Sequence, residues 1–234
     1  MKILALDTAA SFCAAALYDS EKALVLAQRR ENIGKGHAEV LMAYVQDVLE
    51  EARLDFHQID RVAVNVGPGS FTGVRIAVSS ARGFALALNS TAIGVTAFEA
   101  LCAQAHESYA KRPVLVLLDA HRGEIFAQSF DGNGEPETEA LALTLQEAVQ
   151  LCAEKPDHVL TGSAAPAVTQ ALGETHVIAQ TEPTADIAVY ARIAATKPMG
   201  EAPKPLYLRG PDAKPQVGFA LPRKSEVKSE EQAS

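Results

Sequence analysis

The sequence lacks most of the groupings from which enzymes build chemistry. It has only three cysteines, Cys13, Cys102 and Cys152, widely spaced and with no CxxC pair. That pattern argues against a disulfide framework and reads as buried free thiols in a reducing compartment. No run of 18 apolar residues exists, so no membrane-spanning helix is expected. The apolar start "MKILALDTAASFCAAALY" is interrupted by Asp7 and alternates as strands do. It reads as core rather than as a signal peptide, and a cytoplasmic location is expected. No two of the six histidines (His37, His57, His106, His121, His158 and His176) stand four apart, which excludes HxxxH and HExxH metal motifs. Leu41 occupies the place of a second helical ligand after His37, so His37 reads as a helix cap or surface residue.

The nucleotide signatures are also missing. In "NVGPGSFTGVR" (65–75) Gly67 leads to Thr72 and Gly73, then to Val74 and Arg75. The lysine and hydroxyl of GxxxxGK[ST] are absent, and Gly67, Gly69 and Gly73 do not fit GxGxxG. Ser70 lies in GPGSFTG, which is not GxSxG, and neither Ser70 nor Cys13 has a histidine partner that sequence can indicate. No catalytic residue, metal or cofactor is expected.

What is present is a core-forming chain of 234 residues, 48% apolar, with net charge -8. The net charge disfavours nucleic acid as a direct partner of the whole molecule. From Lys197 to Lys224 six basic residues stand against Glu201 and Asp212, leaving +4 there and -12 elsewhere. That stretch is either a solvated edge or a contact for RNA or an acidic partner.

Short apolar runs at 3–6, 12–18 and 23–28 predict three strands, with a turn at "DSEK". Val40, Leu41, Tyr44, Val45, Val48, Leu49 and Ala52 recur at alternating steps of one and three, an amphipathic helix. A strand over 61–66 leads through the glycine turn into a helix over 72–88, and 92–95 is again extended. The pattern then restarts. Asp7 precedes Asp19 by 12 residues, and Asp119 precedes Asp131 by 12. "VAVNVGPGSFTGV" (62–74) has a counterpart in "HVLTGSAAPAV" (158–168). Two matches in the same order imply a duplicated mixed α/β lobe. The expected division is 1–110, 111–220, with its last segments able to pack back on the first lobe, and a loose tail over 221–234.

Two lobes that each open with a strand ending in Asp describe the actin-like (ASKHA, ribonuclease H-like) architecture, whose cleft holds ATP. Its hairpins carry Asp-x-Gly; here they read Asp7-Thr8-Ala9 and Asp119-Ala120-His121. Both phosphate hairpins lack the glycine, so ATP hydrolysis by this chain alone is not expected.

"ILALDTA", "VNVGPGSFTGVRIAVSSARGFA", "LDAHRGEIFAQSF" and "PLYLR" resemble the bacterial TsaB (YeaZ) family over nearly the whole chain, to about residue 210. The specific block is GPGSFTGVR: Gly67, Pro68, Gly69, Ser70, Phe71, Thr72, Gly73 and Arg75. His121 departs from the family, which often has arginine there. The resemblance implies a non-catalytic subunit in formation of N6-threonylcarbamoyladenosine at position 37 of tRNAs that read codons beginning with A. It further implies pairing with a metal-binding TsaD-like catalytic paralogue, a TsaE-like ATPase that joins them, a homodimer when the paralogue is absent, and tRNA met only through the complex. The helix after the glycine loop carries two small-residue stripes, Ala77, Ala81, Ala85 and Ser79, Gly83, Ala87. One stripe is expected to pack inward and the other to meet a partner, together with the helix from His37 to Ala52. The expected interface set is Val40, Leu41, Tyr44, Val45, Ala77, Ala81, Gly83 and Ala85. A nucleotide-dependent actin-like kinase and a glycoprotease-like metallopeptidase stay open as alternatives.

Overall fold

The computed structural model describes residues 1–120, 122–173 and 175–208. Its first sheet contains β1 (Lys2–Asp7), β2 (Phe12–Asp19), β3 (Leu24–Asn32), β4 (Arg61–Asn65) and β5 (Thr91–Val95), ordered β3-β2-β1-β4-β5. Its second sheet contains β6 (Val114–Asp119), β7 (Glu124–Phe130), β8 (Leu141–Thr144) and β9 (Val159–Thr161), ordered β8-β7-β6-β9. In each sheet the opening strand pairs antiparallel with its hairpin partner and parallel with the strand beyond. The repeat seen in the aspartate spacing is thus a repeat of topology. Asp19 and Asp131 even hold similar turns: Asp19 Oδ1 accepts from the Glu21 amide, and Asp131 Oδ1 from the Asn133 and Glu135 amides. Where a counterpart of β5 would lie, residues 177–180 run beside β9. The Leu160 amide donates to the Val177 carbonyl and the Ala179 amide to the Leu160 carbonyl.

The strands are apolar on both faces because both faces are covered. Ile3 and Ala5 of β1 point one way, Leu4 and Leu6 the other, as the period of two requires. Leu4, Leu6, Val62 and Val64 pack under α1 (His37–Ala52) and α2 (Phe71–Ala87). Ile3, Ala5 and Ala63 face α3 (Ala97–Ser108) and α6 (Ile187–Thr196), whose other side meets Val114, Val116 and Leu118 of β6. Leu115 and Leu117 pack under α4 (Leu145–Ala153) and α5 (Ala165–Leu172). The result is five layers: helices, sheet, helices, sheet, helices. It is the duplicated actin-like α/β fold, with mixed sheets flanked by helices. α6 follows the second sheet in sequence but packs on the first, where Arg61 Nη1 donates to the Ala194 and Lys197 carbonyls.

Most of the elements that the sequence indicated fall within a residue or two of expectation, α3, α4, α6 and β8 went unpredicted, and all three cysteines are free and buried. One strand differs. β3 continues to Asn32 through Arg29, Arg30 and Glu31, where the sequence suggested an end at Gln28. Those residues pair with Phe12–Ala15 of β2. β3 is an edge strand, and charge there blocks further pairing without breaking the ladder. His121, Arg209 and residues 210–234, including most of the basic stretch and the proposed tail, lie outside the described residues.

A serine, a histidine and a glutamate meet in the second lobe, and the geometry shows a structural pin. Ser129 is fully buried and donates to Glu137 Oε2 at 2.6 Å; His158 Nε2 lies 3.1 Å and Lys155 Nζ 2.8 Å from the same oxygen. Hydrogen bonds from Lys155, Ser129 and His158 hold the Glu137 carboxyl down at about 2. Burial lowers the His158 pKa, so that ring resists protonation. A depressed carboxylate contributes stability above its ordinary pKa of about 4.5 and loses it as pH falls through about 2. Glu137→Gln is therefore expected to be less stable than wild type at neutral pH. The two denaturant-unfolding curves should converge as pH approaches 2; a gap that stays constant with pH would contradict this assignment.

Candidate functional site

The glycine loop between β4 and α2 is pressed against the first hairpin. A Cβ on Gly73 would sit 2.0 Å from the Thr8 carbonyl oxygen, and one on Gly69 2.2 Å from that of Ala9. The Ser70 amide donates to the Ala9 carbonyl at 2.7 Å, and the Thr8 hydroxyl donates to the Gly73 carbonyl at 2.6 Å. Gly67 takes φ +97°, a left-handed value suited to glycine, and precedes Pro68 through a cis peptide. Its amide donates to Asn65 Oδ1, and its carbonyl accepts from Ala97 at the start of α3. Ser70 caps α2 by accepting from the Gly73 amide. The loop that resembles a phosphate cradle is thus a backbone-to-backbone joint that sets the direction of α2.

Asp7 is the anchor of this joint. It is 1% exposed and accepts from the Ala9 amide (2.8 Å), Asn65 Nδ2 (2.9 Å) and the Thr184 hydroxyl (2.5 Å). Asn65 Nδ2 also donates to the Tyr190 hydroxyl, which lies 2.7 Å from Thr184 Oγ1. Burial raises the Asp7 pKa, with the three donors opposing it, and burial also lifts the Tyr190 phenol well above its usual value. The hairpin's own Ala9 amide thus donates to Asp7. Asn65, Thr184 and Tyr190 escaped the sequence argument, although an asparagine inside the apolar strand "VAVNV" was a signal. Asp119, the equivalent in the second lobe, is exposed, and its amide donates to Ser163 Oγ.

A cleft of about 1040 Å³ opens between the lobes. All four sequence blocks that carried the resemblance reach it: Ala9, the loop 68–73, Leu118 to Ala120 with Phe126, and Leu206 to Leu208. The last segment is tied down by the Leu206 amide on the Val66 carbonyl and by Arg75, whose Nε donates to the Tyr207 hydroxyl at 2.7 Å. The Arg75 guanidinium also lies 3.7 Å above the Phe71 ring. His37 lines the cleft too. It is neither cap nor surface residue, correcting the expectation: Gly36 is the N-cap, and His37 is 9% exposed.

The expected interface set divides. Ala77, Ala81 and Ala85 are buried against the first sheet, as are Leu41, Tyr44 and Val45 of α1, so they are packing rather than contact residues. The opposite stripe, Ser79, Gly83 and Ala87, is exposed, and Val40 is half-buried. Leu86 is 85% exposed, and Met42 and Phe71 are also open, three positions outside the expected set. Among the described residues no group of three or more His, Cys, Asp or Glu could hold a metal.

Fold and site together define a two-lobed actin-like protein whose first phosphate hairpin is closed by its own glycine joint. The family model for "TsaD: tRNA N6-adenosine threonylcarbamoyltransferase" matches residues 26–193. The TsaB biosynthesis protein of Escherichia coli K12 is 34% identical over 146 residues, 60% of this chain and 62% of that one. The TsaB of Buchnera aphidicola from Schizaphis graminum is 32% identical over 53% of this chain and 58% of its own. The chain thus spans about three fifths of the length of these curated relatives. An uncharacterized Mycobacterium tuberculosis protein is 33% identical over 91% of this chain and 94% of its own. A Pseudomonas aeruginosa crystal structure described as similar to the peptidase YeaZ superposes with TM-score 0.75 at 26% identity, covering 89% of this chain and 99% of that one. The chain belongs to the TsaD-type family, among its TsaB (YeaZ) members.

The joint predicts opposite outcomes for two alanines. Gly73→Ala forces a methyl into the Thr8 carbonyl and is expected to cost about 3 kcal/mol. Gly83→Ala, with nothing within 4 Å of its new Cβ, should gain roughly 0.5–1 kcal/mol from helix propensity. Urea titrations of both variants test this, and equal stabilities would refute the close-approach argument.

Proposed function

We propose that this chain is the non-catalytic partner subunit in formation of N6-threonylcarbamoyladenosine at position 37 of tRNAs reading ANN codons. It acts by docking on a TsaD-type transferase and activating it, with a TsaE-like ATPase joining the pair. In the transferase's absence the same face pairs two copies of this chain. Cytoplasmic location follows from this role.

The observation that carries the proposal is the division of α2 into two faces. The stripe Ala77, Ala81, Ala85 is fully committed to the first sheet, while Ser79, Gly83 and Ala87 face outward beside Leu86. Small residues on an exposed helix face let a second helix approach closely, and an adjacent leucine supplies apolar area at the contact. Phe71, Thr72, Arg75, Ile76 and Ser79 line a depression of about 360 Å³ on the same helix, a place for a partner side chain. Three further features support a subunit without chemistry of its own. The Thr8 hydroxyl and the Ala9 carbonyl are engaged by the glycine joint, Asp7 is sealed in its network, and Ser129 is buried with its proton already donated to Glu137. The net charge of -8 favours meeting tRNA through the partner rather than directly.

The test is reconstituted tRNA modification with and without this chain, using three arginine variants. Gly83→Arg and Leu86→Arg place charge on the open face and should stay folded by circular dichroism while losing most transferase activation and self-association. Ala81→Arg buries an unpaired charge and should unfold the chain at a cost of about 3–5 kcal/mol. Full activation by both folded variants would reject the face as the docking surface. Full modification without the chain would reject the subunit role.

A further inference from the structure

The interlobe cleft has unused polar groups that the partner face does not explain. His37 lines it, is 9% exposed, and its Nε2 has no hydrogen-bond partner. A buried ring nitrogen left unpaired costs free energy that a ligand would recover. The 17-residue helix α2 starts at the same cleft, where Phe71 and Thr72 form part of the lining. Its first amides have no intrahelical acceptor, and the Ser70 side chain accepts only from Gly73.

Both sets line the one cleft, and the segments before them are tied to the first hairpin. The Ser11 carbonyl accepts from the Ile33 and Gly34 amides, just before His37, and the Ala9 carbonyl accepts from Ser70, just before α2. Ala9 and Ser11 are two residues apart, at most about 7 Å of chain. The first hairpin itself offers little, because its Ala9 amide already donates to Asp7.

We propose that the cleft binds a single-headed amphiphile. Its carboxylate or phosphate is held by His37 Nε2–H and the first amides of α2, and its apolar body lies against Leu118, Phe126 and Leu206. The lining explains both halves. Among the described residues its charged members are Lys35, Glu39 and Asp119, which together offer no positive field to gather a polyanion such as a nucleoside triphosphate. Fixed neutral donors at a helix start suit one oxyanion, and the surrounding wall is largely apolar.

Imidazole ¹⁵N spectra of the full-length chain, titrated with octanoate, octyl phosphate, acetate and inorganic phosphate, test the proposal. The eight-carbon probes should move the His37 Nε2 signal saturably and bind at least about tenfold more tightly than their headgroups alone, because the body is buried. Which long probe binds better distinguishes carboxylate from phosphate. By calorimetry His37→Leu should abolish saturable binding and His37→Gln, which keeps a donor, should retain part of it. No saturable shift at His37, equal affinity for long and short probes, or unchanged affinity in His37→Leu would each overturn the site. Gly83→Arg should leave this binding intact, so the cleft and the docking face stand or fall separately.

Discussion

The contact on which the rest of the structure depends is the meeting of two backbones, Gly69 and Gly73 against Ala9 and Thr8. Their carbonyl oxygens lie where any Cβ on the two glycines would have to go. That closeness fixes where α2 begins and how it leaves the sheet. Asp7 makes the joint rigid, because its carboxylate holds the hairpin amide and, through Asn65, Thr184 and Tyr190, ties β1 to β4 and to α6. A charge-capable group sealed in this way is tolerable only while each donor stays in place, so the network resists rearrangement as a unit.

From that joint follows the division of labour across the layers. The middle layer of α3 and α6 is covered on both sides, by the first sheet and by the second, and the side chains it buries there are mainly apolar. The outer helices have one covered face and one open face. On α1 and α4 the open faces are mostly polar. On α2 the open face carries Gly83, Ala87 and a nearly naked Leu86, an arrangement that isolated lobe packing gives no reason to keep. The cleft is a separate matter. It lies beside the start of α2, where it shares Phe71, Thr72 and Ile76 with the depression on that helix, and its walls come from both lobes.

Much of the architecture was legible because it depended on period and spacing. Alternating apolar runs gave the strands, steps of one and three gave α1, and the paired aspartates gave the duplication. What failed to read did so for identifiable reasons. Arg29 to Glu31 looked like a strand's end because charge is disfavoured in central strands, yet an edge strand tolerates it. His37 looked like a surface residue because its burial at the wall of the cleft depends on segments distant in the chain. The two stripes of α2 were visible as a pair, but alanine and serine spacing is the same whichever stripe faces in. Leu86 and Met42 went unnoticed because an exposed apolar residue leaves no periodic trace.

The sequence by itself determined the class of fold, the repeat, the family and the glycine turn before α2, since each of these is carried by local spacing and residue type. Only the tertiary structure decided what the glycines approach, which partners Asp7 holds, which face of α2 stays open and that four distant motifs share one cleft. Those depend on contacts such as Asp7 with Thr184 and Arg75 with Tyr207, between residues far apart in the chain, and such pairings exist only once the two sheets and the returning helix α6 have closed on one another.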